Sequence, residues 1–490
     1  MNHPKKRPVD WVLMVYMGAT SVLDSFAVES LKQMKRAAGD GVIVAAQFDA
    51  CGYAGKGIPR LIFDGTGDKG ASIENDVKKR VFPDNGKKPA DYLRDFILWA
   101  YGQPECKAAK HYCLILWTDG SLAPAGLPTG KESQEVIDNS RRQNFLLPVE
   151  LRDTLDKVRE TGRSKFDIIG MDACNMSMIE DVYELRECAD FLIASEEEIP
   201  DASFPYEQLL PLFREHKDTI TICRSVAREY KRAYQDYISN ESTGLKKVTL
   251  SCLQLAHISQ IKKPLDDLAV ALLSAVKDKD TRRAVISARD GAMSFIAGLF
   301  ADAFGFCDQL RKELTARKIV NEKLDSACAK VCNAINAPYT EGRLVAGNET
   351  SEPHRCHGLS IYFPNLSAAE QGEIDQVSAS KGGTDILNKL RGEGIGQIES
   401  YYPSLELAQS TQWFEFIKSG WSRCLIKEVP LELGVRYSAQ QCAIHFVELF
   451  LDMLEQKPPL GQKPPLGQNP PLGQNPPLGQ NPPNGKPAAA

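Results

Sequence analysis

Hydrophobic residues in the first half of the chain fall into short unbroken runs. Trp11 to Tyr16, Val42 to Phe48, Arg60 to Phe63, Tyr112 to Leu116, Phe166 to Ile169 and Phe191 to Ala194 are almost wholly apolar. Runs of this length, bounded by Gly, Pro and polar residues, predict strands buried on both faces. Between them Val22 to Ala37, Pro89 to Ala100, Leu147 to Thr161 and Ser177 to Glu187 carry helical text. Such alternation predicts an α/β fold, a mainly parallel sheet with helices on both faces. Val248 to Leu255 and Leu359 to Phe363 read as two more strands. The stretch from Ile258 to Ala337 reads as mostly helical, with Leu265, Leu268, Ala269, Leu272 and Val276 at helical spacing. The Phe, Ala and Leu residues of 294–310 are expected in a core.

Two segments break the pattern. Residues 121–131 are rich in Pro and Gly and lead into polar text up to Gln143, which predicts an exposed loop or insertion over 121–148. From Lys457 a hexad of Pro-Pro-Leu-Gly-Gln and Lys or Asn repeats to Asn481. Proline at that density excludes helix and sheet, and one Leu per repeat cannot offset the entropy of ordering. The chain thus divides into a core (9–256), a mostly helical C-terminal extension (257–456) that returns a strand near 358–363, and a tail (457–490) expected to be disordered. The tail is a slack end, a spacer or a ligand for a proline-reading partner.

Composition narrows the function classes. A length of 490 residues allows a large core, and 43% hydrophobic with 25% charged residues is ordinary for a globular protein. A net charge of −5 offers no electrostatic footprint for nucleic acid or an anionic membrane. No apolar run reaches membrane-spanning length, and residues 1–10 lack the apolar stretch of a signal peptide. The 13 cysteines follow no spaced framework, so reduced thiols and a cytoplasmic location are expected. No cofactor or metal is expected. Cys328 and Cys332 read as packed side chains, and the cluster His354, Arg355, Cys356, His357 lacks a second half with zinc spacing.

The chemistry concentrates at two strand ends. Met171-Asp172-Ala173-Cys174-Asn175 follows the Phe166 run, at the carboxyl edge where α/β sheets gather their sites. Helical text from Ser177 would put the thiol near a helix N-terminus, which favours a thiolate. A buried structural cysteine is the plainer alternative. Thr118-Asp119-Gly120-Ser121 follows the other run, His111 to Trp117. With these two motifs stand Trp11 to Met17, Ala194 to Pro200 and Gly358 to Pro364, in the same order over roughly residues 10 to 425. Together they resemble the clostripain family of cysteine peptidases, which share the caspase-like fold.

The resemblance implies a caspase-like α/β sandwich and a thiol endopeptidase acting on protein or peptide substrates after Arg or Lys. It implies Cys174 as nucleophile, with its own N–H and that of Gly120 as oxyanion donors. It implies that Asp172, and more loosely Asp201, line a pocket for a basic side chain; a solvated loop acid is the other reading of Asp201. It implies cut sites in the 121–148 loop at Lys131, Arg141 or Arg142, for which a plain surface loop is the alternative. One position departs from the family: its histidine would fall at 119, where this chain has Asp119. A carboxylate beside a thiol disfavours the thiolate, and at neutral pH it has no proton for a leaving amine. His111 lies at the far end of its strand, and His257, His354 and His357 do not match the family position. Three readings follow: a peptidase with an unusual base, a pseudopeptidase that binds a basic peptide or partner, and a scaffold acting through its Pro-rich tail.

Overall fold

The computed structural model describes residues 9–18, 24–48, 58–66, 69–70, 72–73, 76, 81–82, 87–118, 127–128, 145–216, 218–238, 247–295, 300–337, 342–363 and 402–421. Its strands are β1 (Trp11–Met17), β2 (Val42–Phe48), β3 (Ile58–Phe63), β4 (Val81–Phe82), β5 (His111–Trp117), β6 (Leu127–Pro128) and β7 (Phe145–Leu146). After these come β8 (Phe166–Asp172), β9 (Ala189–Ala194), β10 (Thr249–Gln254), β11 (Ser294–Phe295), β12 (Phe300–Asp302), β13 (Val345–Thr350) and β14 (Ser360–Tyr362). Nine of them form one sheet in the order β13-β10-β9-β8-β5-β1-β2-β3-β4. The five central strands run parallel, and two antiparallel strands flank them on each side. This is the α/β architecture that the runs predict, with helices on both faces.

The strand runs are unbroken because both faces are covered. Every residue of β1 is buried, and the side chains alternate between two cores. Val12, Met14 and Tyr16 join one core with the helices Pro89–Gly102 and Pro148–Arg159. Trp11, Leu13, Val15 and Met17 join the other with the helices Asp24–Ala37, Tyr206–Glu215 and Thr219–Ile238. Burying each such side chain stabilises the fold by about 1.5–3 kcal/mol, and period-two alternation assigns each to its face.

The stretch after residue 257 shares both sheet and core with what precedes it. β13 pairs with β10 at the sheet edge, and the helices Lys262–Ala275, Lys279–Gly291, Ala303–Ala316 and Glu322–Ile335 pack into the first core. Three details differ from the sequence expectation. β11 and β12 interrupt the stretch expected to be mostly helical, pairing with β14 in a separate three-stranded sheet. β13, Val-Ala-Gly-Asn-Glu-Thr, is an edge strand whose polar middle is only half-buried, so it lacks the apolar signal of the central strands. The helix after Cys174 spans only Ile179–Glu184 rather than 177–187. The backbone at Ser177 and Met178 is held by Ser195 and Ser360 instead: Ser177 N–H donates to Ser195 O at 2.9 Å, and Met178 bridges Ser360. The thiol is therefore not seated on a helix N-terminus.

Of the 121–148 loop, only the paired stretches β6 and β7 and the residues from 145 onward are described. Lys131, Arg141, Arg142 and the 457–490 tail lie outside the described residues, as do Asp119 and Gly120. No described helix is long and apolar enough to cross a membrane.

Candidate active site

The two strand ends meet. β5 and β8 are adjacent and parallel, and Trp117 registers with Asp172. Thr118 N–H donates to Asp172 O at 3.2 Å, which carries the contact one residue beyond β5. The described end of β5, at Thr118, therefore lies beside the strand end that leads to Cys174.

Cys174 is partly exposed, whereas the other nine described cysteines are buried; all ten are free thiols. Its Sγ accepts a hydrogen bond from Ile199 N–H at 3.3 Å. Sγ also lies 3.8 Å from Ile199 O, to which the thiol can donate, so the amide favours the thiolate and the carbonyl favours the thiol. Asn175 follows with a left-handed backbone, φ 56°, a conformation that Asn tolerates better than most residues. That turn lets Asn175 N–H reach Glu197 O at 3.1 Å. The loop that supplies Ile199 is pinned behind: Ser195 Oγ and Thr249 Oγ1 share a 2.8 Å hydrogen bond, and Glu196 N–H donates to Thr249 Oγ1 at 3.0 Å.

Glu196 anchors the loop to the smaller sheet. Its Oε2 accepts from Gly358 N–H at 2.8 Å. Burial and the neighbouring Asp302 carboxylate push its pKa well above the ordinary carboxylate range. Asp302 in turn accepts from His357 Nδ1 at 2.8 Å. The expected cluster around His357 is thus a packing device: the imidazole pairs with Asp302 and stacks on Phe304 at 4.3 Å. Among the described residues no group of three or more His, Cys, Asp or Glu is placed to hold a metal ion.

Asp172 and Asp201 sit in different surroundings. Asp201 is exposed at a turn. Asp172 is 3% exposed, and its carboxylate is enclosed by neutral donors. Ser203 Oγ and Tyr206 OH both donate to Oδ2, the latter at 2.6 Å. Phe204 N–H is shared between Oδ1 at 3.1 Å and Oδ2 at 3.2 Å. No cation pairs with it among the described residues. Desolvation raises its pKa from 3.8 to about 6, the hydrogen bonds from Ser203, Tyr206 and Phe204 opposing the rise. Trp117 Nε1 donates to Ser203 Oγ, so one chain of hydrogen bonds ties the end of β5 to the end of β8. Tyr230 is fully buried, its hydroxyl has no hydrogen-bond partner among the described residues, and burial pushes its pKa well above the ordinary phenol value.

Ser203, Tyr206, Trp117 and Tyr230 escaped the sequence reading. The usable signal was indirect. A carboxylate at the end of a buried strand must find donors, and the hydroxyl residues just after the Ser195–Pro200 loop were the nearest supply. The histidines are elsewhere. His111 pairs with Asp167 at 2.7 Å at the opposite end of β5, His216 meets Ser225 and His257 meets Gln260. Among the described residues no histidine bonds to the sulfur of Cys174.

A parallel-centred sheet with a semi-exposed thiol past one strand end, beside a second strand end, fits one set of relatives. A family model for the clostripain family matches residues 15–371. The chain belongs to the clostripain family. Clostripain-family proteins are cysteine peptidases, which assigns this chain to that class. Two solved structures share the fold. One is a secreted C11 cysteine protease from Bacteroides thetaiotaomicron in complex with an irreversible peptide inhibitor, 17% identical over 83% of this chain and 99% of that one, TM-score 0.52. The other is a secreted C11 cysteine protease from the same organism, "iotapain", 13% identical over 82% of this chain and 99% of that one, TM-score 0.51. No curated protein matches the chain.

Proposed function

We propose that this clostripain-family chain binds peptides through an Arg or Lys side chain next to Asp172, presents the following carbonyl to Cys174, and turns over slowly because Asp119 replaces the family histidine. The observation that carries the cation reading is Asp172: a buried carboxylate, two residues before the thiol, ringed by neutral donors and without a basic partner among the described residues. A buried carboxylate held this way is stabilised further by an entering cation. Asp201, exposed at the turn leading into Ser203, is a second acid for the same side chain. Cys174 is the nucleophile in this reading: its sulfur attacks the scissile carbonyl carbon, and the leaving amine then needs a proton. Gly120 N–H and Cys174 N–H are the proposed donors to the oxyanion.

Asp119 supplies that proton poorly. An ordinary carboxylate titrates at about 3.9, imidazole at about 6.5, so near pH 7 only the latter both gives and takes a proton readily. General acid–base help is worth about 10²–10⁴-fold in rate. The test is hydrolysis of fluorogenic Arg and Lys peptides by the full chain, by Asp119→His and by Cys174→Ala. We expect slow cleavage by the unaltered chain, a gain of at least about tenfold in kcat from Asp119→His, and none with Cys174→Ala. Fast Cys174-dependent cleavage by the unaltered chain would refute the role given to Asp119. Cleavage that survives Cys174→Ala would refute the nucleophile.

A further inference from the structure

Resting on the reading of Asp172 as the cation-binding group, the two oxygens of its carboxylate are not equivalent. Oδ2 holds the Ser203 hydroxyl, the Tyr206 hydroxyl at 2.6 Å and a share of the Phe204 amide at 3.2 Å. Oδ1 holds only the other share of that amide, at 3.1 Å. A carboxylate offers about four lone-pair positions, two on each oxygen. Oδ2 is therefore saturated and Oδ1 is not. We propose that Ser203 and Tyr206 are specificity-determining residues: by filling Oδ2 they leave a single oxygen for the incoming side chain, and the site prefers Lys to Arg.

The reason is geometric. A guanidinium gains most from a carboxylate by the two-pronged arrangement, one N–H to each oxygen. That arrangement needs both oxygens open, and here one is closed. A one-oxygen contact forfeits the second bond and leaves buried guanidinium N–H groups without acceptors, each at a cost. An ammonium is a compact point charge that binds one oxygen fully and turns its remaining N–H bonds to other acceptors. The hydroxyls are themselves fixed. Ser203 sits in a left-handed conformation, φ 68°, its carbonyl accepts from Tyr234 OH and its Oγ also accepts from Trp117 Nε1. Tyr206 is 1% exposed with its ring against Phe204. Neither donor can swing away cheaply when a guanidinium arrives.

The test measures binding, so it works whatever the turnover. Three peptide aldehydes with the same leading sequence end in Lys, Arg or norleucine. Each captures Cys174 by simple addition: sulfur bonds to the carbonyl carbon, the carbonyl π bond breaks, and the thiol proton ends on oxygen. Dissociation constants are measured for the full chain, Tyr206→Phe, the pair Ser203→Ala with Tyr206→Phe, and Asp172→Asn. The expected result is Lys tighter than Arg, and both tighter than norleucine, in the unaltered chain. Tyr206→Phe should shift the Lys-to-Arg ratio toward Arg, and the double variant should shift it by about tenfold. The ratio is the informative quantity, because merely loosening the pocket alters both cations together, whereas freeing Oδ2 helps the guanidinium more than the ammonium. Asp172→Asn should erase the advantage of both over norleucine. Arg binding as tightly as Lys to the unaltered chain, or a ratio that does not move in a folded double variant, overturns the inference and leaves the cation pocket standing. Norleucine binding as tightly as either cation overturns the pocket and the inference with it. If the double variant fails to fold, the ratios in the unaltered chain and in Tyr206→Phe decide.

Discussion

At the scale of single residues, Asp172 carries a pH prediction. Burial raises its pKa to about 6, so it is mostly ionised at neutral pH and mostly neutral at pH 5. A neutral carboxyl does not attract a cation. Affinity for a Lys-terminated peptide aldehyde, relative to its norleucine analogue, should therefore fall about tenfold between pH 7.5 and pH 5, because each pH unit below the pKa removes most of the remaining carboxylate. The ratio cancels any change in the thiol itself. A ratio that stays flat across that range would mean that Asp172 does not meet the side chain. Little of this was legible in the sequence. Asp172 was found because it precedes Cys174 by two in a recognisable motif. Its partners Ser203 and Tyr206 lie 31 and 34 residues further on, and the turn that delivers them has no spacing signature. Asp119, by contrast, is legible only in the sequence.

At the scale of elements, the segment between Ser195 and Ile199 is held from two sides. β10 grips it through Thr249, and the turn before β14 grips it through Gly358, whose N–H bonds Glu196 and whose carbonyl accepts from Ser177 Oγ at 2.6 Å. Gly358 has φ +99°, and a Cβ there would stand 2.9 Å from Ser251 Oγ and 3.1 Å from Val345 Cγ1. Both the conformation and the space require glycine. Gly358→Ala should destabilise the fold by about 1–3 kcal/mol, read as a lower urea midpoint at unchanged slope. A midpoint unchanged from the parent chain would show that this turn does not hold the loop. The same elements explain which strands could be foreseen. β1, β2, β5 and β8 bury both faces and so advertise themselves as apolar runs. β13 lies at an edge with a polar, half-buried middle, while β11 and β12 are too short for any period to show. The helix after Cys174 is shorter than its sequence predicts because Ser177 and Met178 bond to Ser195 and Ser360, partners distant in sequence that override local helical preference.

At the scale of the whole molecule, an unusual number of acids are buried between the sheet and the C-terminal elements. Glu180 accepts from Tyr362 N–H at 2.9 Å and Tyr402 OH at 2.7 Å, and Glu184 accepts from Glu406 N–H at 2.6 Å. Asp181 is 1% exposed, and neither of its oxygens has a hydrogen-bond partner among the described residues. Desolvation raises the pKa of all three, and also those of Asp172 and Glu196. The linkage has a definite sign. Each acid titrates higher in the folded chain than in the unfolded one, so between the two values the folded state binds more protons. Stability is therefore greatest below the unfolded values and is lost as pH rises through the folded ones; for Asp172 that window runs from 3.8 to about 6. The exposed Asp218 and Asp278 and the half-buried Asp267 shift the other way, but they lose their contribution only as pH falls below their ordinary values. The protein should thus melt at a higher temperature near pH 5.5 than near pH 8. Asp181 is the most exacting probe, since it has burial and two acidic neighbours against it and no donor in its favour. Asp181→Asn removes the titration and keeps the shape, so it should raise the melting temperature at pH 8 and flatten its dependence on pH. A variant as pH-sensitive as the parent, or less stable at pH 8, would show that Asp181 is ionised and paired in the folded chain.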